Sequence, residues 1–147
     1  MPEAVEIREA VPSDFRKLLP LFQKLQSGKK LDRKRAKAFF EEMVSSDRHF
    51  AWVAVSDGKI VGYMDVVFRT YHFAFDFVAR IETTIVDERM RRLGIASQLI
   101  KKCEEKARGV GCKVIELDSG MQRRGAHKFY EKSGYVERGY LFWKKLG

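Results

Sequence analysis

The segment from Arg80 to Arg108 constrains this chain more than any other. Arg80-Ile-Glu-Thr-Thr-Ile-Val-Asp87 is β-rich and apolar, Arg91-Arg92-Leu93-Gly94-Ile95-Ala96 is a basic turn bearing a glycine, and an amphipathic helix follows from about Leu93 to Arg108. A strand, a turn and a helix in that order require a sheet with helices packed on it. The first-turn amides of a helix have no backbone partner, and the aligned peptide dipoles add partial positive charge, so a diphosphate can bind at such a turn. Gly94 lets the backbone approach closely, Ala96 keeps the next turn small, and Arg89, Arg91 and Arg92 add full charges. Taken alone, a plain strand-to-helix connection explains these residues equally well.

The 147 residues fit one domain, spanning 1–147, large enough to bury a core without disulfides or metal. Hydrophobic residues at 45% and charged ones at 33% describe a globular chain. No apolar run approaches membrane-spanning length and no basic-then-apolar leader opens the sequence, so the expected location is the cytoplasm, away from membranes. Cys103 and Cys112 lack metal-ligand spacing and are expected to be small core residues. The net charge of +9 is unevenly spread: residues 1–49 carry +3, residues 50–88 carry −3 and residues 89–147 carry +9. Such a field suits an anionic ligand near the basic turn and a cationic one near the acidic segment.

Val5 to Arg8 alternates as a first strand, and Ser13 or Asp14 can cap a helix running to about Gln26. Asp32 caps a second helix, Arg33 to about Ser45, with Ala36, Phe39, Phe40 and Met43 on one face. His49 to Ser56 and Lys59 to about Arg69 form a hairpin around Asp57-Gly58. The aromatic segment Phe68 to Phe77 alternates at Phe73, Phe75 and Phe77, as a core or dimer face or as an aromatic wall of a binding pocket. After the long helix, ended by Gly109 or Gly111, come a strand at Lys113 to Asp118, a short helix around Gly125 to Ser133, and a last hairpin from Tyr135 to Lys145. The order β-α-α-β-β-β-α-β-α-β-β predicts an α/β fold, a mixed central sheet with helices on both faces.

A second segment narrows the reading. In Ala126-His127-Lys128-Phe129-Tyr130-Glu131-Lys132-Ser133-Gly134-Tyr135 a short helix ends at a glycine and a strand begins with an aromatic residue. Together with the basic turn about 35 residues upstream, and with the order of elements along nearly the whole chain, this resembles the GNAT superfamily of acetyl-coenzyme A-dependent acyltransferases. The run Leu117 to Tyr130 is similar to a subgroup that includes aminoalkylphosphonate and other small-amine acetyltransferases. The resemblance implies the GNAT fold, acetyl coenzyme A as co-substrate with no metal, and N-acetylation of a primary amine by direct attack in a ternary complex. It places the diphosphate on the amides of Arg92, Leu93, Gly94, Ile95, Ala96 and Ser97, with Arg91 at the motif's basic position. It assigns the backbone amides of Ile85 and Val86 to the pantetheine arm and the thioester carbonyl.

Acetyl transfer to an amine needs a proton donor for the departing thiolate and a means of removing the amine's proton. By resemblance Tyr130 is the donor. A thiol titrates near ~8.5 and tyrosine near ~10, so a hydrogen bond to the developing thiolate, with later proton transfer, is enough. Glu82 is the base candidate because it interrupts an apolar strand, where a carboxylate is costly unless used. Direct transfer from an ammonium near ~10.4 to a carboxylate near ~4.3 is uphill by roughly 8 kcal/mol. Glu82 must therefore have a raised pKa, relay the proton through water, or only orient a neutral amine, and a salt bridge to Arg80 is the plain alternative. Asp65, Asp76 and Glu116 are weaker candidates.

Two positions depart from or extend the pattern. Arg123 stands where many relatives place a cofactor-contacting asparagine and is expected to reach a phosphate instead, and His127, on the face of Tyr130, is expected to touch the cofactor unless it is structural. The expected acceptor is a small-molecule amine. The alternatives are a protein lysine or N-terminus and, from another class, nucleic-acid binding without catalysis. Against the last, the basic residues lack interleaved aromatics and the central third is acidic. A homodimer stays open.

Overall fold

The structure, a computed structural model, describes residues 4–26, 28–71 and 75–147. Five strands form one sheet in the order of the sequence: β1 (Glu6–Glu9), β2 (His49–Ser56), β3 (Lys59–Tyr71), β4 (Asp76–Val86) and β5 (Val114–Leu117). The first four are antiparallel neighbours, whereas β5 runs parallel to β4 over Val78–Ile81 only. Helices α1 (Phe15–Leu25) and α2 (Arg33–Ser45) precede β2, α3 (Ile95–Val110) joins β4 to β5, and α4 (Arg124–Lys132) follows β5. Among the described residues no helix is long and apolar enough to cross a membrane.

Alternation along the strands sorts side chains into two cores. Trp52, Met64, Val66, Phe68, Ala79 and Ile81 pack against Ile95, Leu99, Ile100 and Cys103 of α3 and Tyr130 of α4. Val53, Ile60 and Tyr63 face the other way, against Phe15, Leu18 and Leu21 of α1 and Phe40 of α2. A Cβ on Gly62 would lie 3.0 Å from Ile95 Cγ2, so the bare glycine is what lets the first turn of α3 seat on β3. Cys103 is fully buried and Cys112 packs at the core's edge.

Local chemistry explains most boundaries. Asp32 accepts the Arg35 amide at 3.1 Å to start α2, and Asp57 and Gly58 both take left-handed φ in the hairpin turn. Gly111, at φ +97, ends α3 by donating to the last turn while the Cys112 amide bonds Ala107 O. Asp14 makes no side-chain cap to α1. A short 3-10 turn, Pro12–Asp14, leads into the helix, and the Asp14 carboxylate instead takes both Arg8 guanidinium nitrogens at 2.8 Å and the Val11 amide at 2.8 Å. Those bonds hold its carboxyl below the usual carboxylate range.

Three expectations fail. Phe39 leaves the α2 core face and is 61% exposed, with Arg35 over its ring at 5.6 Å. The aromatic alternation breaks because Phe75 sits in a turn at φ +49, exposed, while Phe73, with His72, lies outside the described residues. The hairpin at Tyr135 to Lys145 is absent: no strand forms after α4, and Val136, Tyr140, Leu141, Phe142 and Trp143 stand in solvent.

Candidate active site

Beyond Ile81 and Leu117, β4 and β5 are no longer paired, and a cavity of about 220 Å³ occupies the divergence. Its walls include Glu82, Thr83 and Thr84 from β4, Leu117 and Asp118 beyond β5, and Arg123 and Tyr130 at α4. The larger hollow beside Ile7, Trp52 and Lys106 is more open and bears none of the candidate chemistry. Glu82 and Tyr130, far apart in sequence, thus line one cavity.

Glu82 gets there through a bulge. Asp65 pairs with Thr83 and the next residue, Val66, with Ile81, so Glu82 is the extra residue of β4 and is re-aimed. Its carboxylate lies 3.6 Å from Arg69 and 3.9 Å from Arg80, with 41% of the side chain exposed. It is therefore a solvent-reached carboxylate held by two guanidiniums, and of the routes expected for it the relay through water and the orienting role fit this setting. Arg80, mostly buried, also holds Glu116 at 3.4 Å and Asp118 through a short hydrogen bond. Three carboxylates stand here against Arg69 and Arg80, with Arg123 on the α4 wall, so the negative charge is local to the β4–β5 side, where a cationic amine would be favoured.

Asp65 carries the burial expected of Glu82. It is 9% exposed and accepts the Tyr63 hydroxyl at 2.8 Å. Burial pushes its pKa up to about 6, with hydrogen bonds from Tyr63 and Thr83 opposing and the charge of Glu82 adding. The signal for this was in the sequence, because Asp65 is the one charged residue in the apolar run Ile60 to Phe68, a strand buried on both faces.

The β3–β4 register fixes which amides face the opening. Asp87 N–H donates to Val61 O at 2.8 Å, so by antiparallel alternation Ile85 with Tyr63 is also a bonded pair. Ile85 turns its amide to β3, and the amides turned toward the opening are those of Thr84 and Val86. At the basic turn, Arg92 and Gly94 take φ of +67 and +78, and the first helical bond, Gln98 N–H to Gly94 O at 3.1 Å, leaves Ile95, Ala96 and Ser97 without helical acceptors. Ile95 anchors this turn in the core while Leu93 is half exposed. Arg89 is paired with Asp87 at 3.2 Å, so Arg91 and Arg92 are the turn's uncompensated cations among the described residues. This cradle of amides and guanidiniums fits a diphosphate.

Tyr130 is 9% exposed, its ring 5.3 Å from that of Phe129 and 5.9 Å from that of Tyr135. Arg123 is the N-cap of α4, its amide donating to Gly120 O. His127 Nε2 lies 2.8 Å from the same Gly120 oxygen, which ties the histidine to the β5–α4 loop rather than turning it to the cavity.

The profile of the acetyltransferase (GNAT) family matches residues 13–135. An aminoalkylphosphonate N-acetyltransferase of Salmonella typhimurium is 27% identical over 141 residues, covering 96% of this chain and 91% of that protein. A putative acetyltransferase from Agrobacterium tumefaciens superposes with a TM-score of 0.85 at 28% identity, covering 96% of this chain and 99% of the other. An aminoglycoside N-acetyltransferase solved in complex with coenzyme A shares the fold, with a TM-score of 0.86 at 23% identity, covering 99% of this chain and 97% of the other.

Proposed function

The chain belongs to the acetyltransferase (GNAT) family, and from that premise we propose that it moves an acetyl group from acetyl coenzyme A to a primary amine of a small molecule by direct attack in a ternary complex. The observation that carries this reading is the meeting of Glu82 and Tyr130 on one cavity where β4 and β5 part. Acetyl coenzyme A supplies the acyl group already activated as a thioester. The amides of Ile95, Ala96 and Ser97, with Arg91 and Arg92, hold its diphosphate. Thr84 and Val86 present backbone N–H groups to the pantetheine arm and the thioester carbonyl.

On the acceptor side, Glu82, Glu116 and Asp118 draw the amine in as a cation. Glu82 then orients it and passes its proton to water, since the side chain is open to solvent. Tyr130 donates a hydrogen bond to the departing sulfur, and Arg123 reaches a cofactor phosphate. A small amine as acceptor is supported by the relative whose name specifies an aminoalkylphosphonate.

A panel of small amines, a lysine peptide and a DNA oligomer, each supplied with acetyl coenzyme A and followed by thiol release, tests the reading. Turnover with a small amine and none with the peptide is expected. Tyr130→Phe keeps the ring and removes the donor, so turnover should fall about ten- to a thousandfold with coenzyme A affinity nearly unchanged. Equal turnover in variant and parent would assign Tyr130 to packing alone.

A further inference from the structure

The hydroxyl of Tyr130 must stay available for the departing sulfur, so its ring has to be aimed by packing rather than by a hydrogen bond of its own. The ring lies 5.3 Å from that of Phe129, its chain neighbour, and 5.9 Å from that of Tyr135, which meets it edge-on at 66°. Tyr135 reaches this place because Gly134, at φ +94, turns the chain back at the end of α4. The Tyr135 amide then donates to Tyr130 O at 3.0 Å.

α4 has 9 residues, too few to be rigid by its own hydrogen bonds, so the aim of Tyr130 depends on what the end of this helix is fixed to. That fixed point is α3. The Tyr135 hydroxyl donates to Glu104 Oε2 at 3.3 Å, and both side chains are half-buried. Burial and the Glu104 carboxylate hold the Tyr135 phenol well above its ordinary range, so it remains a donor near neutrality. Cys103, beside Glu104, is fully buried, and Ala107 is buried one turn on, which seats this part of α3 in the core. The same helix begins at the phosphate cradle, where Ile95 is its core anchor. Glu104 stands nine residues after Ile95, or about 14 Å along the axis.

Given Tyr130 as the donor to the departing sulfur, we infer that Tyr135 and Glu104 are positioning residues of the acetyl transfer: the hydrogen bond between them sets the aim of the Tyr130 phenol from α3, the helix whose first turn holds the diphosphate. One rigid element then serves as the reference for both ends of the reaction. It holds the cofactor at its start and aims the proton donor from its middle. A misplacement of about 1 Å at such a site can cost up to about a hundredfold in rate. A phenylalanine in place of Tyr135 would keep the ring contact and lose the link to α3.

Steady-state kinetics and ring-flip rates test this. Tyr135→Phe should lower kcat about five- to twentyfold, with the KM for acetyl coenzyme A within about twofold of the parent. Glu104→Ala should do the same, and Glu104→Gln, whose amide oxygen accepts the same bond, should recover most of the loss. In a Tyr130→Phe background neither Tyr135→Phe nor Glu104→Ala should lower kcat further, because both act through the phenol. Independently of turnover, the ring-flip rate of Tyr130, read by nuclear magnetic resonance on the protein alone, should rise at least about fivefold in Tyr135→Phe and Glu104→Ala. If the parent turns over no amine, the proposed reaction fails and the flip rates alone decide whether this bond fixes Tyr130. Parental kcat in Tyr135→Phe, a loss that adds to that of Tyr130→Phe, or an unchanged flip rate would each overturn the inference.

Discussion

Glu82 and Asp65 lie on adjacent strands in opposite surroundings, and each has its own test. Glu82, solvent-reached between Arg69 and Arg80, is placed to orient the amine and relay its proton. Glu82→Gln keeps the shape and removes that acceptor. The variant should be slow near neutrality and recover partly at high pH, where more of the amine is already neutral, as a rate profile at low substrate would show. Parental rates at pH 7 would move the role elsewhere. Asp65 bears on stability instead. Its folded pKa of about 6 exceeds the ordinary 3.8, so between those values the unfolded chain has lost a proton that the folded one keeps. Stability from this group is therefore fullest below pH 3.8, falls by about 3 kcal/mol as pH rises to 6, and is flat above. Asp65→Asn, which can still accept the Tyr63 hydroxyl, should remove that fall. Denaturant unfolding of both proteins from pH 4 to 7 measures it, and parallel curves would show that Asp65 does not titrate there.

Among the elements, the basic turn makes the sharpest prediction. A Cβ at Gly94 meets nothing within 4 Å, so a substitution there acts through φ +78 and through charge rather than through collision. Gly94→Ala should cost about 1–2 kcal/mol of stability for the left-handed conformation. Gly94→Glu adds a negative charge at the phosphate cradle and should weaken coenzyme A binding at least tenfold, or about 1.4 kcal/mol, by calorimetry. Affinity unchanged in a folded Gly94→Glu would remove the cofactor from this turn. Elements with their own local chemistry were legible in sequence: the start of α2 follows from Asp32, and the β2–β3 hairpin from Asp57-Gly58. What depends on a distant partner was not. The pattern at Val136 to Leu146 declares apolar residues but not what pairs with them, and the two turns of α2 that bury Phe40 leave Phe39 outside. The bulge that re-aims Glu82 needs a register between two strands, which no single segment encodes.

In the whole molecule, the sheet joins at places of very different sequence distance. β2, β3 and β4 follow one another directly, whereas β5 reaches β4 only after α3, with Val78 beside Val114 and pairing limited to Val78–Ile81. Loop closure must precede such a contact, as it must for β1 on β2, where Glu6 pairs with Val55, so both short end strands join the sheet late. The cavity lies at the end of the β4–β5 seam, with walls from both sides of it. A ligand bound across it opposes opening by about 2.7 kcal/mol at a hundred times its Kd. Exchange at Val114–Leu117 should then slow about a hundredfold when coenzyme A is added at that level. Unchanged exchange there would mean that the ligand does not bridge the two strands. With such bridging, substrate supply also sets the lifetime of the closed seam: starved of ligand, the protein loosens at the place where its chemistry is done.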